Sequence, residues 1–243
     1  MSRLPLITAH AGCMNTVPNS IESIIKGIET GADIIEVDVR ATKDGVPILI
    51  HDPSINTIQD EQIQVNEITF EDLEKHINNK MVTLLEALDI AQQYNIVLNL
   101  DIKSLDAIDS IAALVNYEKM NNHVILSGCK KEKAIYLYNN YPQFQYLLNV
   151  DTNSLSEEDF NQQSIIEEIC NEANSMSCCG INIDYKYCNE EIIKYFHSRF
   201  LPVAVWTIDN ECDMEKYIEL GVYSITTNKI NTLKHIKENI LSK

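Results

Sequence analysis

The sequence predicts an α/β fold closed as a (β/α)8, TIM-type barrel, with one β-hairpin inserted after the second strand. Three observations predict it. Apolar strand-like runs begin near Leu6, Ile34, Val97, Val124, Gln145, Ile181, Val203 and Tyr223, and a helical stretch follows each of these eight. The length of 243 residues suits one barrel, and 45% apolar residues supply a sizeable core. Polar residues collect at the C-terminal ends of the strands, where a barrel opens its mouth. A doubly wound open sheet is the competing architecture. No linker, low-complexity tract or second domain interrupts the chain, so residues 1–243 read as a single domain.

The first strand is the run Leu4 to Ala9, ending at His10 with Gly12 close behind. Asn19 reads as the N-cap of the first helix, with Glu22 three residues on, and Ile21, Ile24, Ile25 and Ile28 recur on one helical face. Gly31 ends that helix. The second strand, Ile34 to Val39, carries Glu36 and Asp38, which alternation places on the same face. Lys43-Asp44-Gly45 is a tight-turn signal. If the chain folds back about Asp44, residues whose numbers sum to about 87–89 face each other, and His51 lies across from Glu36 to Asp38. The connection is far shorter than a parallel crossover needs, so the return arm is an antiparallel insertion.

Residues 53–80 are polar and poorly periodic, and read as a surface excursion with a short helical candidate at Phe70–Ile77. Thr83 and Glu86 form a capping-box pattern that opens a helix to about Tyr94. Ile96 to Ile102 is the third strand, carrying Asn99 and Asp101. Helix 106–119, strand Val124–Ser127, helix 130–140, strand 144–150 and helix 157–176 follow. Gly180 opens strand 181–184, and helix 189–199 leads to strand 203–206. Asp209 reads as the cap of helix 210–219, which Gly221 ends; Tyr223–Thr226 and helix 229–241 complete the repeat.

With 19 Lys and Arg against 36 Asp and Glu, the net charge is −17. Such a surface argues against binding nucleic acid or anionic lipid head groups by charge. The seven cysteines are odd in number and include no CxxC pair, so neither a disulfide framework nor a zinc ribbon is signalled. The segment MSRLPLITAH is too short and polar for a signal peptide, and no apolar run approaches the ~18 residues of a membrane span. A reduced, cytoplasmic protein is the expectation.

The strand ends present His10, then Glu36, Asp38 and His51, then Asp101 and Lys103, then Ser127, Asn182, Asp184, Trp206 and Thr226 to Asn228. Each has a plainer reading: solvated acids on a hairpin, hydrogen-bonded histidines, a loop-capping aspartate, a rim tryptophan. Their convergence on adjacent strand ends favours a site. Two carboxylates on one strand face repel, and burial raises their pKa values unless a cation sits between them. Glu36, Asp38 and Asp101 are hard oxygen donors, suited to one divalent cation, Mg²⁺ or Ca²⁺, and not to zinc. Two histidines flanking a metal-bound anion suit a general acid and a general base on opposite sides of a phosphorus centre. Cys13, near His10, reads as a small apolar filler.

His10 with Gly12, then GADIIEVDVRATKDGVPILIHD, LNLDIK, VAVWTID and GVYSITTN, resemble in order, over nearly the whole chain, the glycerophosphodiester phosphodiesterase family. The resemblance implies a (β/α)8 barrel, one divalent cation, and cleavage of a small-molecule glycerophosphodiester to an alcohol and glycerol phosphate. It implies catalytic roles for His10 and His51, metal ligation by Glu36, Asp38 and Asp101, and substrate binding by Lys103 and Trp206. Three positions depart from the family pattern. Ala11 stands where an arginine is usual, Val17-Pro18-Asn19-Ser20 lacks a glutamate, and Asp101 replaces a glutamate. An aspartate at that position resembles the sphingomyelinase D and lysophospholipase D-like enzymes, which act on lipids. A non-catalytic barrel that binds a phosphate ester is the third reading, motivated by Ala11.

Overall fold

Eight parallel strands close on themselves. The computed structural model describes residues 4–78, 80–152 and 162–241. The barrel strands are β1 (Leu6–Ala9), β2 (Ile34–Ala41), β6 (Val97–Ile102), β7 (Val124–Cys129), β8 (Tyr146–Asn149), β9 (Gly180–Asp184), β10 (Val203–Trp206) and β11 (Ser224–Thr227). β1 pairs in parallel with β11, Leu6 opposite Ser224, and with β2, Thr8 opposite Ile34. A sheet whose first strand has both of these neighbours has no open edge, which rules out the doubly wound alternative. The helices are α1 (Ile21–Thr30), α2 (Phe70–His76), α3 (Leu84–Tyr94), α4 (Ile108–Tyr117), α5 (Lys131–Asn140), α6 (Gln163–Ser175), α7 (Glu190–Ser198), α8 (Glu211–Glu219) and α9 (Ile230–Leu241).

The main core lies between strands and helices. Ile35, Val37 and Val39 of β2 and Leu98, Leu100 and Ile102 of β6 are buried on that side. α1 comes close because Gly27 has no side chain; a Cβ there would stand 2.7 Å from Ile35 Cδ1. The opposite faces of the strands point into the barrel and are more polar: Thr8, Asn99, Asn182, Ser224 and Thr226 share one internal cavity. The period-2 alternation of the strands therefore sends apolar residues to the helices and polar ones to the lumen and mouth.

The hairpin folds in the expected register. β3 (Pro47–Leu49) runs antiparallel to β2, with Val39 opposite Leu49 and Ala41 opposite Pro47. The Ile50 N–H continues the ladder to the Asp38 carbonyl at 3.0 Å.

Three elements differ from the sequence reading. Ser20, not Asn19, caps α1, accepting from the Ser23 N–H at 3.1 Å. Asn19 adopts φ 58, and its side chain is engaged elsewhere. Asn210, not Asp209, caps α8, because the Asp209 carboxylate is held by Thr227 and Asn228. The stretch 53–80 is more than a polar excursion. β4 (Ser54–Asn56) and β5 (Gln62–Gln64) form a hairpin, and Ile48, Val65, Leu73 and Met81 build a second small core beneath it and α2. α6 is described from Gln163; the earlier part of helix 157–176 lies outside the described residues. The capping box of α3 is present as read, with Thr83 and Glu86 bonded in both directions.

Candidate active site

A cavity of about 550 Å³ opens at the C-terminal ends of the barrel strands. His10, Glu36, Asp38, His51, Asp101, Lys103 and Trp206 all line it, with Ser127, Asn182 and Thr226, whereas Asp184, Thr227 and Asn228 do not. The register explains the acids. Asp38 of β2 stands opposite Asp101 of β6, and Glu36 opposite Asn99, so three carboxylates project from two neighbouring strands on one face. One oxygen from each of Glu36, Asp38 and Asp101 lies within 4.8 Å of the other two.

Burial holds the Glu36 carboxyl well above the usual carboxylate range, and the charges of Asp38 and Asp101 push the same way. Burial also acts on Asp38. There the Lys103 ammonium and hydrogen bonds from Lys103 and Asn19 outweigh it, and the pKa lies below the ordinary value. Lys103 Nζ sits 2.7 Å from both Asp38 Oδ1 and Asp101 Oδ2. Burial works against its charge, but the two aspartates win and raise its pKa. Three carboxylates against one ammonium leave an excess of negative charge in a partly desolvated place.

The residues present fit a hard divalent cation. The donors are all carboxylate oxygens. Asp101 Oδ1 is buried and, among the described residues, has no hydrogen-bond partner. A buried carboxylate oxygen without a donor is costly unless a cation satisfies it. Its position depends on Gly128, at φ +68: a Cβ there would stand 2.0 Å from Asp101 Oδ1 and 2.6 Å from the Ile102 carbonyl oxygen.

Both histidines are oriented through Nδ1. His10 Nδ1 lies 3.1 Å from Asn228 Oδ1. The Asn228 Nδ2 donates to Asp209 Oδ2 at 2.8 Å, which fixes the amide with its oxygen toward the imidazole. Nδ1 of His10 is therefore the donor, and Nε2 is left for chemistry. His51 Nδ1 is 2.8 Å from Asp52 Oδ1, and the Arg40 Nε donates to the His51 carbonyl at 2.9 Å. The His51 side chain is 67% exposed, at the solvent side of the cavity. Trp206 adds an indole whose buried Nε1 has no acceptor among the described residues. Cys13 is buried against Ser23, and burial raises its thiol pKa, the reverse of what a thiolate nucleophile needs.

Sequence reasoning missed the supporting groups. Asn19 reads locally as a helix cap, yet it holds Asp38. Asp209 also reads locally as a cap, yet it holds Asn228 and through it His10. A local clue existed for each, since Ser20 and Asn210, the actual caps, are equally good cap residues one position on. Ala11, where a guanidinium was expected, keeps a backbone role: its N–H donates to Glu36 Oε2 at 2.7 Å.

The sequence profile of the Glycerophosphoryl diester phosphodiesterase family matches residues 10–232. A glycerophosphodiester phosphodiesterase of Caldanaerobacter subterraneus is 26% identical, covering 94% of this chain and 96% of the relative. One of Bacillus subtilis is 26% identical, covering 96% of this chain and 86% of the relative. Among solved structures, a phosphodiesterase of Oleispira antarctica in complex with the product sn-glycerol-3-phosphate superposes with TM-score 0.78 at 18% identity, covering 97% of each chain. The family match covers most of the chain, and the chain belongs to the glycerophosphoryl diester phosphodiesterase family, a family of phosphodiester-hydrolysing enzymes.

Proposed function

We propose that the chain, acting as one domain, hydrolyses small glycerophosphodiesters to an alcohol and glycerol phosphate, with one Mg²⁺ or Ca²⁺ held by Glu36, Asp38 and Asp101. The observation that carries this reading is the clustering of those three carboxylates within 4.8 Å, in a cavity that His10 and His51 also line. Family membership supports it, as does the glycerol-3-phosphate bound to the Oleispira relative.

The cation, when bound, supplies positive charge to the phosphoryl oxygens and to the negative charge that grows on them. Lys103 has two of its three N–H groups committed to Asp38 and Asp101, and the third serves the substrate phosphate. One histidine, through Nε2, takes the proton of the attacking hydroxyl: attack by water gives glycerol phosphate directly, whereas attack by the substrate's own glycerol hydroxyl first gives a cyclic glycerol phosphate, which a water then opens in a second acid-base step. The other gives a proton to the departing alkoxide oxygen. Asn228 and Asp52 hold the two rings at the angles this needs. Trp206 packs against the substrate at the rim.

The test is release of glycerol phosphate from glycerophosphocholine and glycerophosphoethanolamine, with Mg²⁺ or Ca²⁺ and with EDTA. Turnover that EDTA abolishes and added cation restores is the expected result. Full activity in EDTA would remove the cation, and activity on lysolipids with none on the water-soluble diesters would replace the substrate class.

A further inference from the structure

The cavity has a cation that the proposed reaction does not use. Lys133, in the first turn of α5, lines it with its side chain largely buried. Its Nζ donates to the Gly128 carbonyl at 2.7 Å and to the Ile102 carbonyl, at the ends of β7 and β6. An ammonium has three N–H groups, so one is left over. The other two lysines of the cavity are matched by carboxylates: Lys103 by Asp38 and Asp101, Lys130 by Asp151 at 2.8 Å. Among the described residues, no carboxylate oxygen lies within 4.0 Å of Lys133 Nζ.

Helix stability gives no reason for this placement. A cation in the first turn opposes the helix dipole, and Lys130 and Lys131 already crowd that end. Burial adds a desolvation cost, seen as a lowered pKa at Lys133. An anion meeting the third N–H would offset both costs.

The position in the barrel narrows what that anion is. Lys133 follows the fourth barrel strand, whereas His10 follows the first and His51 the second. The phosphodiester has to lie between the histidines and beside Lys103, so Lys133 faces a group attached beyond the phosphate. Glycerol carries no charge. The anion therefore belongs to the alcohol. One positive charge with one remaining N–H matches a carboxylate; a phosphate monoester would bring two charges to a place already lined by four acidic side chains.

We propose that Lys133 is a specificity-determining residue that binds a carboxylate on the leaving alcohol, so that diesters of hydroxy-amino or hydroxy acids are favoured over diesters of uncharged or purely cationic alcohols. This rests on the glycerophosphodiester reading of the same site. Glycerophosphoserine and glycerophosphoethanolamine differ only by that carboxylate, and their kcat/KM ratio is the readout.

The wild type is expected to favour glycerophosphoserine roughly tenfold, the size of one charge-assisted hydrogen bond. In Lys133→Met the ratio should fall to near one, whatever happens to the common rate, and Lys133→Arg should retain the preference. An unchanged ratio in Lys133→Met overturns the proposal, including the case in which both substrates lose equally. Should Lys133→Met fail to fold, inhibition of the wild type by O-phosphoserine and by phosphoethanolamine gives the same answer, equal inhibition counting against it. Wild-type turnover of both diesters at equal efficiency overturns this inference alone; turnover of neither overturns the proposed function and the inference with it.

Discussion

Asn19 and Asp38 hold each other through two reciprocal hydrogen bonds. The Asn19 amide donates to Asp38 Oδ2 at 2.8 Å, and the Asp38 backbone N–H donates to Asn19 Oδ1 at 2.9 Å. This clamp fixes the carboxylate so that its other oxygen faces Lys103 and the acid cluster. It also explains the positive φ of Asn19, which asparagine tolerates better than most residues.

Asn19→Ala should therefore weaken cation binding without removing a ligand. Loss of such supporting hydrogen bonds typically costs about 10–100-fold in metal affinity or activity. Titration calorimetry with Mg²⁺ and Ca²⁺ checks the affinity. An affinity equal to that of the wild type would mean that Asp38 needs no such support.

Glu36 should make the cation-free protein sensitive to pH. Its folded-state pKa lies well above the ordinary 4.5, so the folded chain holds a proton that the unfolded chain has released. The associated stability is fully present below 4.5 and is lost as pH rises toward the folded value. In EDTA, Glu36→Gln should gain thermal stability relative to the wild type as pH is raised from about 4 to about 8, by roughly 2–4 °C for each kcal/mol recovered. A saturating cation should stabilise the wild type more than the variant. Melting curves across that range decide it, parallel curves being the contrary outcome.

Gly128→Ala places a methyl group where Asp101 Oδ1 stands, only 2.0 Å away, at a φ of +68 that alanine resists. The carboxylate or the β7 end has to move. Both the backbone strain and the lost ligand geometry act against the protein, so a stability loss of about 1–3 kcal/mol is expected. Cation affinity should fall with it. Paired denaturation and calorimetry experiments separate the two effects, and normal values in both would contradict the close approach.

The two histidines should differ from their supports in size of effect. His10→Ala and His51→Ala should each remove a group proposed for acid-base catalysis, with a rate loss of about 10²–10⁴-fold. Asn228→Ala leaves the imidazole of His10 but frees its Nδ1, so kcat should fall less than in His10→Ala, with KM little changed. Steady-state kinetics on glycerophosphoethanolamine measure all three. A loss in Asn228→Ala that appears only in KM would assign that residue to substrate binding.

The barrel and the polar positions that line its mouth were legible because both follow from short-range pattern. Eight strand-helix repeats, the turn at Lys43-Asp44-Gly45 and the alternation of Glu36 with Asp38 are local facts, and the hairpin register follows by arithmetic from the turn to Val39 opposite Leu49. The helix caps were less legible. Asn19 and Asp209 each sit beside an equally suitable cap residue, and which of the two caps depends on a partner far along the chain: Asp38 for one, Asn228 for the other. The small core under residues 53–80 leaves no mark in the sequence, because Ile48, Val65, Leu73 and Met81 are too widely spaced to give a periodic signal.

By itself the sequence determined the barrel, the face on which the acids lie, and the family, since hydrophobic periodicity and ordered motifs survive without knowledge of contacts. Only the tertiary structure decided which groups hold the acids and histidines in place, and that Lys133, on the helix after the fourth barrel strand, reaches the same cavity as His10. Such relationships join residues up to 218 positions apart, as His10 and Asn228 are. Closure of the sheet brings them together, and no local pattern in the chain encodes that proximity.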